Sequence, residues 1–157
     1  MEFEGMVTIN APIEKVWMSL TDPNFVSQCA PGLVSMEILE PEKLFKVVAG
    51  IGLGSVKVTF DTQVAFMELR KPNFARVKAH GVAPGSGVDV DSNMHLSSVS
   101  SANSSSATEL AWTADVVIVG TIASLAARLM PGITKKLSAA FFDCVKEKIE
   151  VGTTIKA

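Results

Sequence analysis

Along Glu2 to Asn10 apolar and polar residues alternate. Phe3, Val7 and Ile9 share one side and Glu2, Glu4, Thr8 and Asn10 the other, which predicts a strand with one wet face. The period then changes. Ile13, Val16, Trp17 and Leu20 recur at i, i+3, i+4 and i+7, one face of a helix that Ala11-Pro12 opens. Asp22-Pro23 repeats the opening, with Asp22 as N-cap and Pro23 at the first helical position, and Pro31-Gly32 ends this second helix. Two short helices with almost no linker therefore follow the first strand.

From there to about residue 119 the period is two. Phe45, Val47 and Ala49 alternate before the glycine cluster Gly50 to Ser55, a hairpin candidate; a phosphate loop would need a helix next, and a strand follows. Val56, Val58, Phe60, Thr62, Val64 and Phe66 face one way, and Lys57, Thr59, Asp61 and Gln63 the other. Lys71-Pro72-Asn73 signals a tight turn. Ala75, Val77 and Ala79 then alternate with Arg76, Lys78 and His80, and Gly81 to Gly87 reads as a connecting loop. Val88, Val90, Met94 and Leu96 oppose Asp89, Asp91, Asn93 and His95. The polar, low-complexity run Ser97 to Ala107 reads as a mobile hairpin tip, and Leu110, Trp112, Ala114, Val116 and Ile118 mark the last strand. Six strands joined by short turns after the helix pair imply antiparallel pairing.

The helical period returns at Thr121. Ile122, Leu125, Ala126 and Leu129 share a face, Pro131-Gly132 is expected to kink or break the helix, and Ile133, Leu137, Ala140, Phe141 and Cys144 resume the stripe. Lys146 and Lys148 suit a C-terminal helix end, and the last residues read as frayed. A sheet with one apolar face must wrap something, and the terminal helix is the available object. The expected organisation is one domain over residues 1–150 and a tail over 151–157.

Composition sharpens this picture. The chain has 157 residues, 48% of them hydrophobic and only 19% charged, against about 25% charged in an average soluble domain. So much apolar surface implies a large interior, a cavity or a sticky face. A formal net charge of −2 offers no field for phosphates, which excludes nucleic acid as a natural partner. There is no tyrosine, so no phenol can serve as acid or electrophile. The N-terminus lacks the basic start and apolar run of a secretory signal. The most apolar stretch, Val116 to Met130, has Asp115 before it and Arg128 inside it, too short a run to span a bilayer, which takes about 20 residues. Cys29 and Cys144 have no partners at zinc-like spacing and read as two buried small hydrophobes in a reducing cytoplasm.

The motifs carry a resemblance. Ala11-Pro12 leads a helix containing Val16-Trp17, followed by Leu20-Thr21-Asp22-Pro23 and then Cys29-Ala30-Pro31-Gly32. Later, Gly50-Ile51-Gly52 turns into Val56-Lys57 and a strand that reaches Phe60. These stretches resemble the CoxG family of carbon monoxide dehydrogenase subunits, within the START-like, or SRPBCC, superfamily, and the similarity covers nearly the whole chain. The resemblance implies an α+β helix-grip fold: a seven-stranded antiparallel sheet around a long C-terminal helix, with two short helices after the first strand. Family members often carry a C-terminal apolar extension held to anchor them at the membrane; this chain stops at Ala157 without one, so membrane association is expected to be peripheral at most, at the inner face, with a cytoplasmic location. The Pro131-Gly132 interruption is a second departure.

In such a fold the two short helices would plug one end of a curled sheet, leaving an apolar pocket. Phe60, Phe66, Met94, Trp112, Leu125, Leu129 and Ile133 are expected to converge there, with Phe25 at the plug; for each the plainer role is packed core, as it is for Trp17. No cofactor is called for. His80 and His95 lie on polar parities and should face solvent; a metal site of His80, His95 and Asp91 would lack ligand-like spacing. Asp89 and Asp91 read as a solvated pair, Asp115 as an outward residue and Asp22 as a cap. Two functions compete with an assembly factor that holds no ligand. One is a non-catalytic binder of a hydrophobic molecule, a quinone or other isoprenoid or lipid, accessory to subunits of a carbon monoxide dehydrogenase-type molybdenum hydroxylase. The other is a START-like cyclase or hydratase, which would need polar groups inside.

Overall fold

The computed structural model describes residues 1–101 and 104–154. Strand β1 (Glu2–Ile9) is followed by helices α1 (Ile13–Leu20) and α2 (Pro23–Cys29). Six strands come next: β2 (Leu33–Glu40), β3 (Leu44–Leu53), β4 (Val56–Arg70), β5 (Phe74–Ala83), β6 (Ser86–Ser101) and β7 (Ser104–Gly120). Helix α3 (Ala123–Thr154) ends the described chain, so it enters the segment that reads as a tail from the sequence. All seven strands form one sheet in the order β1-β7-β6-β5-β4-β3-β2, each neighbouring pair antiparallel.

The register shows why alternation sorts the side chains. Val47, Thr62, Gly81, Val88 and Ile118 stand opposite one another across five strands, and Phe66, Val77, Ser92, Ala114 and Phe3 form a second row on the same, inward face. Lys46, Gln63, His80, Asp89 and Val117 form a row on the outer face. The two short helices start as their sequence dictates. Asp22 accepts a hydrogen bond from the Asn24 N–H at 3.0 Å, capping α2 with Pro23 at its first position. Gly32 follows α2 at φ 75°, with its backbone pressed against Gly50, and its carbonyl accepts from the Gly50 N–H at 2.8 Å. A side chain there would meet the Gly50 carbonyl.

Two clusters hold α3 to the sheet. At one end Ile9, Val16, Trp17, Leu20, Leu96 and Leu110 pack with Val145 and Ile149 from the C-terminal half of α3. Thr108, buried there, donates its hydroxyl to the Ala11 carbonyl at 2.8 Å, and the Asn10 N–H donates to Glu150 Oε2 at 3.0 Å. At the other end Leu53 packs with Ala126 and Met130 from the start of α3, with Ile51, Val58, Ile118 and Leu129 around them. Trp17 is core, as its helical stripe implies.

Several expectations need correction. Cys29 and Cys144 are a disulfide, not two isolated thiols: packing α2 on α3 brings their Cα atoms to 5.5 Å, within bridging range. Gly81 to Gly87 is not a loop, because β5 and β6 pair as far as Ala83 and Ser86 and only Pro84-Gly85 turn. The run Ser97 to Ala107 is mostly ladder, with Ser97 paired to Glu109, Ser98 to Thr108 and Val99 to Ala107. Strand pairing uses backbone groups that serine has as well as valine, so a polar composition does not forbid it. The tip of that hairpin, residues 102 and 103, lies outside the described residues, as do residues 155–157. Pro131 does not break the helix: α3 runs through it without interruption, with Pro131 and Gly132 exposed and the helix pinned on both sides by Ala126, Met130, Val145 and Ile149. Ala140, placed in the inward stripe by its spacing, is exposed.

Candidate functional site

Between the two clusters the helix and the sheet do not close on one another. The main approaches of α3 to the sheet are to β1, β7 and β3; none of comparable extent reaches β4, β5 or β6. On those middle strands the inward positions stay only half-buried: Thr62, Val64 and Phe66 on β4, Val77 and Ala79 on β5, and Val88, Val90 and Ser92 on β6. A filled core would bury residues at the centre of an inward face. The inward sides that α3 leaves uncovered border a concave stretch of the sheet, the hollow; Ala79 and Val90 also border a recess on the outer face beside His80 and Asp89. Polar groups are sparse in the hollow. From Val58 to Phe66, Ala75 to Gly81, Val88 to Leu96 and Leu110 to Ile118, the inward positions include only Thr62 and Ser92 as polar side chains, and none that ionises. Ser92 donates its hydroxyl to the Thr113 carbonyl at 2.8 Å.

Two recesses flank the hollow. One, of about 430 Å³, lies between β1 and α3; Phe3, Trp112 and Phe142 form its apolar wall and Thr134, Lys135 and Ser138 part of its rim. The Trp112 ring lies stacked near Phe142, centroids 6.4 Å apart and planes at 27°. It can lie so close to β1 because Gly5 stands opposite it: a Cβ on Gly5 would sit 2.6 Å from Trp112 Nε1. The other recess, about 500 Å³, lies between α2 and α3, bounded by Phe25, Gln28, Cys144, Glu147 and Lys148.

The residues expected to line a pocket are thus distributed rather than gathered. Trp112 borders the first recess and Phe25 the second. Met94 stands opposite Trp112 in the ladder and packs on the cluster of Val145 and Ile149. Leu125, Leu129 and Ile133 are together, half-buried against Leu53 and Met130 at the far end. Phe66 faces the hollow and meets Phe45 edge to face at 5.4 Å, whereas Phe60, on the same face of β4, is buried at 4% exposure. Sequence reasoning missed Phe142, Ala79 and Ser92 as lining candidates. The strand parity of Ala79 and Ser92 was readable, but nothing local distinguishes an inward residue that is covered from one that is not.

The ionisable groups of the middle strands lie on the outer face. His80 Nδ1 meets Asp89 Oδ1 at 2.7 Å, and His95 packs its ring 4.8 Å from that of Phe74. Arg76 donates to both Asp91 oxygens, at 3.0 and 2.7 Å; those hydrogen bonds hold the Asp91 carboxyl below its ordinary range and the guanidinium above its own. His80, His95 and Asp91 thus have separate partners, and among the described residues no three metal-ligating side chains gather. Asp115 faces outward, 3.7 Å from the Met1 ammonium. Among the described residues no helix is long and apolar enough to cross a membrane.

This architecture is shared widely. A conserved protein from Geobacillus kaustophilus superposes with a TM-score of 0.85 at 23% identity, over 96% of this chain and 95% of that one. The ZhuI aromatase/cyclase from Streptomyces sp. R1128 gives 0.72 at 18% identity, over 96% and 93%. A norcoclaurine synthase point mutant from Thalictrum flavum, in complex with a transition-state analogue, gives 0.62 at 14% identity, over 98% and 96%. At these identities the likeness establishes the helix-grip fold. No match is found among curated proteins. The family model of CoxG, a carbon monoxide dehydrogenase subunit, matches residues 5–150. The chain belongs to the CoxG family. Its helix pair, its Gly50 to Ser55 turn and the greater part of α3 all fall within the matched span. As a CoxG protein it carries the helix-grip fold, with a disulfide between α2 and α3.

Proposed function

We propose that this CoxG chain is a non-catalytic carrier that holds a hydrophobic small molecule between α3 and the middle strands. The observation that carries the reading is the set of apolar, half-buried side chains facing inward on β4, β5 and β6, with no ionisable group among them. An open apolar surface inside a fold costs about 25 cal/mol for each Å² left in water, and a guest that covers it recovers part of that, less the cost of ordering the guest. The guest proposed is a quinone or another isoprenoid or lipid: long, apolar and satisfied by few polar contacts. The residues proposed to touch it are Phe66 in the hollow, Met94 and Trp112 toward the sealed end, Leu125, Leu129 and Ile133 toward the opposite end, Phe25 at α2, and Phe60 through a shift of packing. The family name motivates the partner, the subunits of a carbon monoxide dehydrogenase-type molybdenum hydroxylase. The carrier would recruit that enzyme to the cytoplasmic face of the membrane or pass its electrons to a membrane-borne acceptor. The role is proposed for one domain over residues 1–150.

Native mass spectrometry of the protein, purified gently from its own cells, tests the proposal. The expected result is a population carrying an apolar adduct. An Ala79→Phe, Ala114→Leu variant, which fills the hollow from the sheet side, is expected to lose the adduct at least about tenfold while remaining folded. Adduct-free wild type, or a filled variant that binds as well as wild type, would sink the carrier. A cyclase-type reaction through His80 or His95 has no geometric support, since both face outward.

A further inference from the structure

Helix α2 is seven residues long, and Cys29, its last residue, is its one buried side chain. Phe25 and Val26 are half-buried. A helix so short has little stability of its own. Its neighbours are α1, α3 and β2, and the Gly32 carbonyl just beyond it is bonded to Gly50 on β3. It therefore lies between the helix side of the molecule and the β2–β3 edge of the sheet, at the sealed end, where Phe25, Cys29 and Cys144 pack with Val145 and Ile149. The Cys29–Cys144 disulfide joins it covalently to α3, across a sequence separation of 115. The bond is reachable: Cys144 is half-buried and forms part of the wall of the recess between α2 and α3, beside Glu147 and Lys148.

We propose that the Cys29–Cys144 bond is a redox-responsive latch, and that a dithiol reductant, acting at the recess between α2 and α3, releases α2 from α3 and loosens the sealed end that closes the hollow. A thiolate of the reductant attacks Cys144 Sγ, the sulfur on the recess side. A mixed disulfide forms there, the bond to Cys29 breaks, and Cys29 leaves as a thiolate that takes up a proton. The reductant's second thiol then attacks its own sulfur in the mixed disulfide. Cys144 is released and protonated, and the reductant departs as a disulfide. The protein gains two electrons and two protons. Lys148, one helical turn past Cys144, places a cation beside the sulfur that leaves in the second step, while Glu147 opposes it. The release of α2 stands by itself; its effect on exchange of a guest rests on the carrier reading.

Hydrogen exchange on the whole protein, oxidised and after dithiothreitol, tests the latch. Val26 N–H and Ala30 N–H bond to Asp22 and Val26 carbonyls within α2, so they report its opening. After about ten minutes in heavy water they are expected to exchange about tenfold further in reduced protein, while β6 and β7 stay protected in both states. The Cys29→Ser, Cys144→Ser variant should behave as reduced protein and ignore dithiothreitol. Unchanged protection at Val26 and Ala30, or protection lost across β6 and β7 as well, would overturn the latch, as would two free thiols in aerobically prepared protein. The same samples loaded with cis-parinaric acid test the gate. Its dissociation should be several-fold faster after reduction; equal rates overturn the gating. If the fatty acid binds neither state, the carrier reading fails, and the exchange data still decide the latch.

Discussion

The same strands are sealed at one end and open in the middle. Around Leu96 on β6 and Leu110 on β7, inward side chains meet α1 and the last turns of α3, and Ile9, Val16, Val145 and Ile149 beside them are at most 1% exposed. A few residues along the same strands, Val90, Ser92 and Ala114 point the same way and remain half-buried. Composition does not separate the two regions, since both are apolar and both alternate. What differs is the opposing surface. At the sealed end two helices cover the sheet; in the middle α3 alone bridges a curled sheet, and a helix about 10 Å across cannot fill that concavity. Burial is thus a property of a pair of surfaces, and the unpaired stretch is where the proposed guest would bind.

The comparison can be broken most severely at the sealed end. Trp17→Ala is expected to cost about 3–5 kcal/mol, measured by urea denaturation, because a large side chain is removed from a site with no room to collapse. Replacing both cysteines by serine should cost about 2–4 kcal/mol, through the freed entropy of the long loop they close. A matched pair of substitutions sharpens the contrast further. Val145→Ala, at the sealed end, should cost about 2 kcal/mol, and Val90→Ala, in the hollow, less than half as much. Equal costs would mean that the middle is packed after all. The smallest effect lies outside both regions. Arg76→Ala removes the partner that lowers the Asp91 carboxyl, so the pair's contribution is present above the ordinary carboxylate range and is lost as pH falls through Asp91's lowered value. The stability difference between wild type and this variant should therefore shrink below about pH 4, with loading of the hollow unaffected.

The local parts of this fold were legible. The i, i+3, i+4 stripe of Ile13 to Leu20, the Asp22-Pro23 cap and the alternation of Val56 to Phe66 all appear where periodicity and turn chemistry put them. Pro131 and the serine-rich run misled because each is a local signal overruled at a distance. Helix α3 passes Pro131 since clusters on both sides hold it, and β6 passes its serines since β7 supplies a partner for their backbone groups. Of the candidate site, the inward parity of Phe66, Met94 and Trp112 was readable; their separation into a hollow, two recesses and two packed ends was not.

The sequence by itself determined periods, caps and family, because these depend on residues a few positions apart. Only the tertiary structure decided that Cys29 meets Cys144, that Gly5 admits the Trp112 ring, and that Ala79 stays half-buried. Each of those depends on the distance between segments remote in the chain, and no local pattern encodes how closely a helix settles onto a curved sheet.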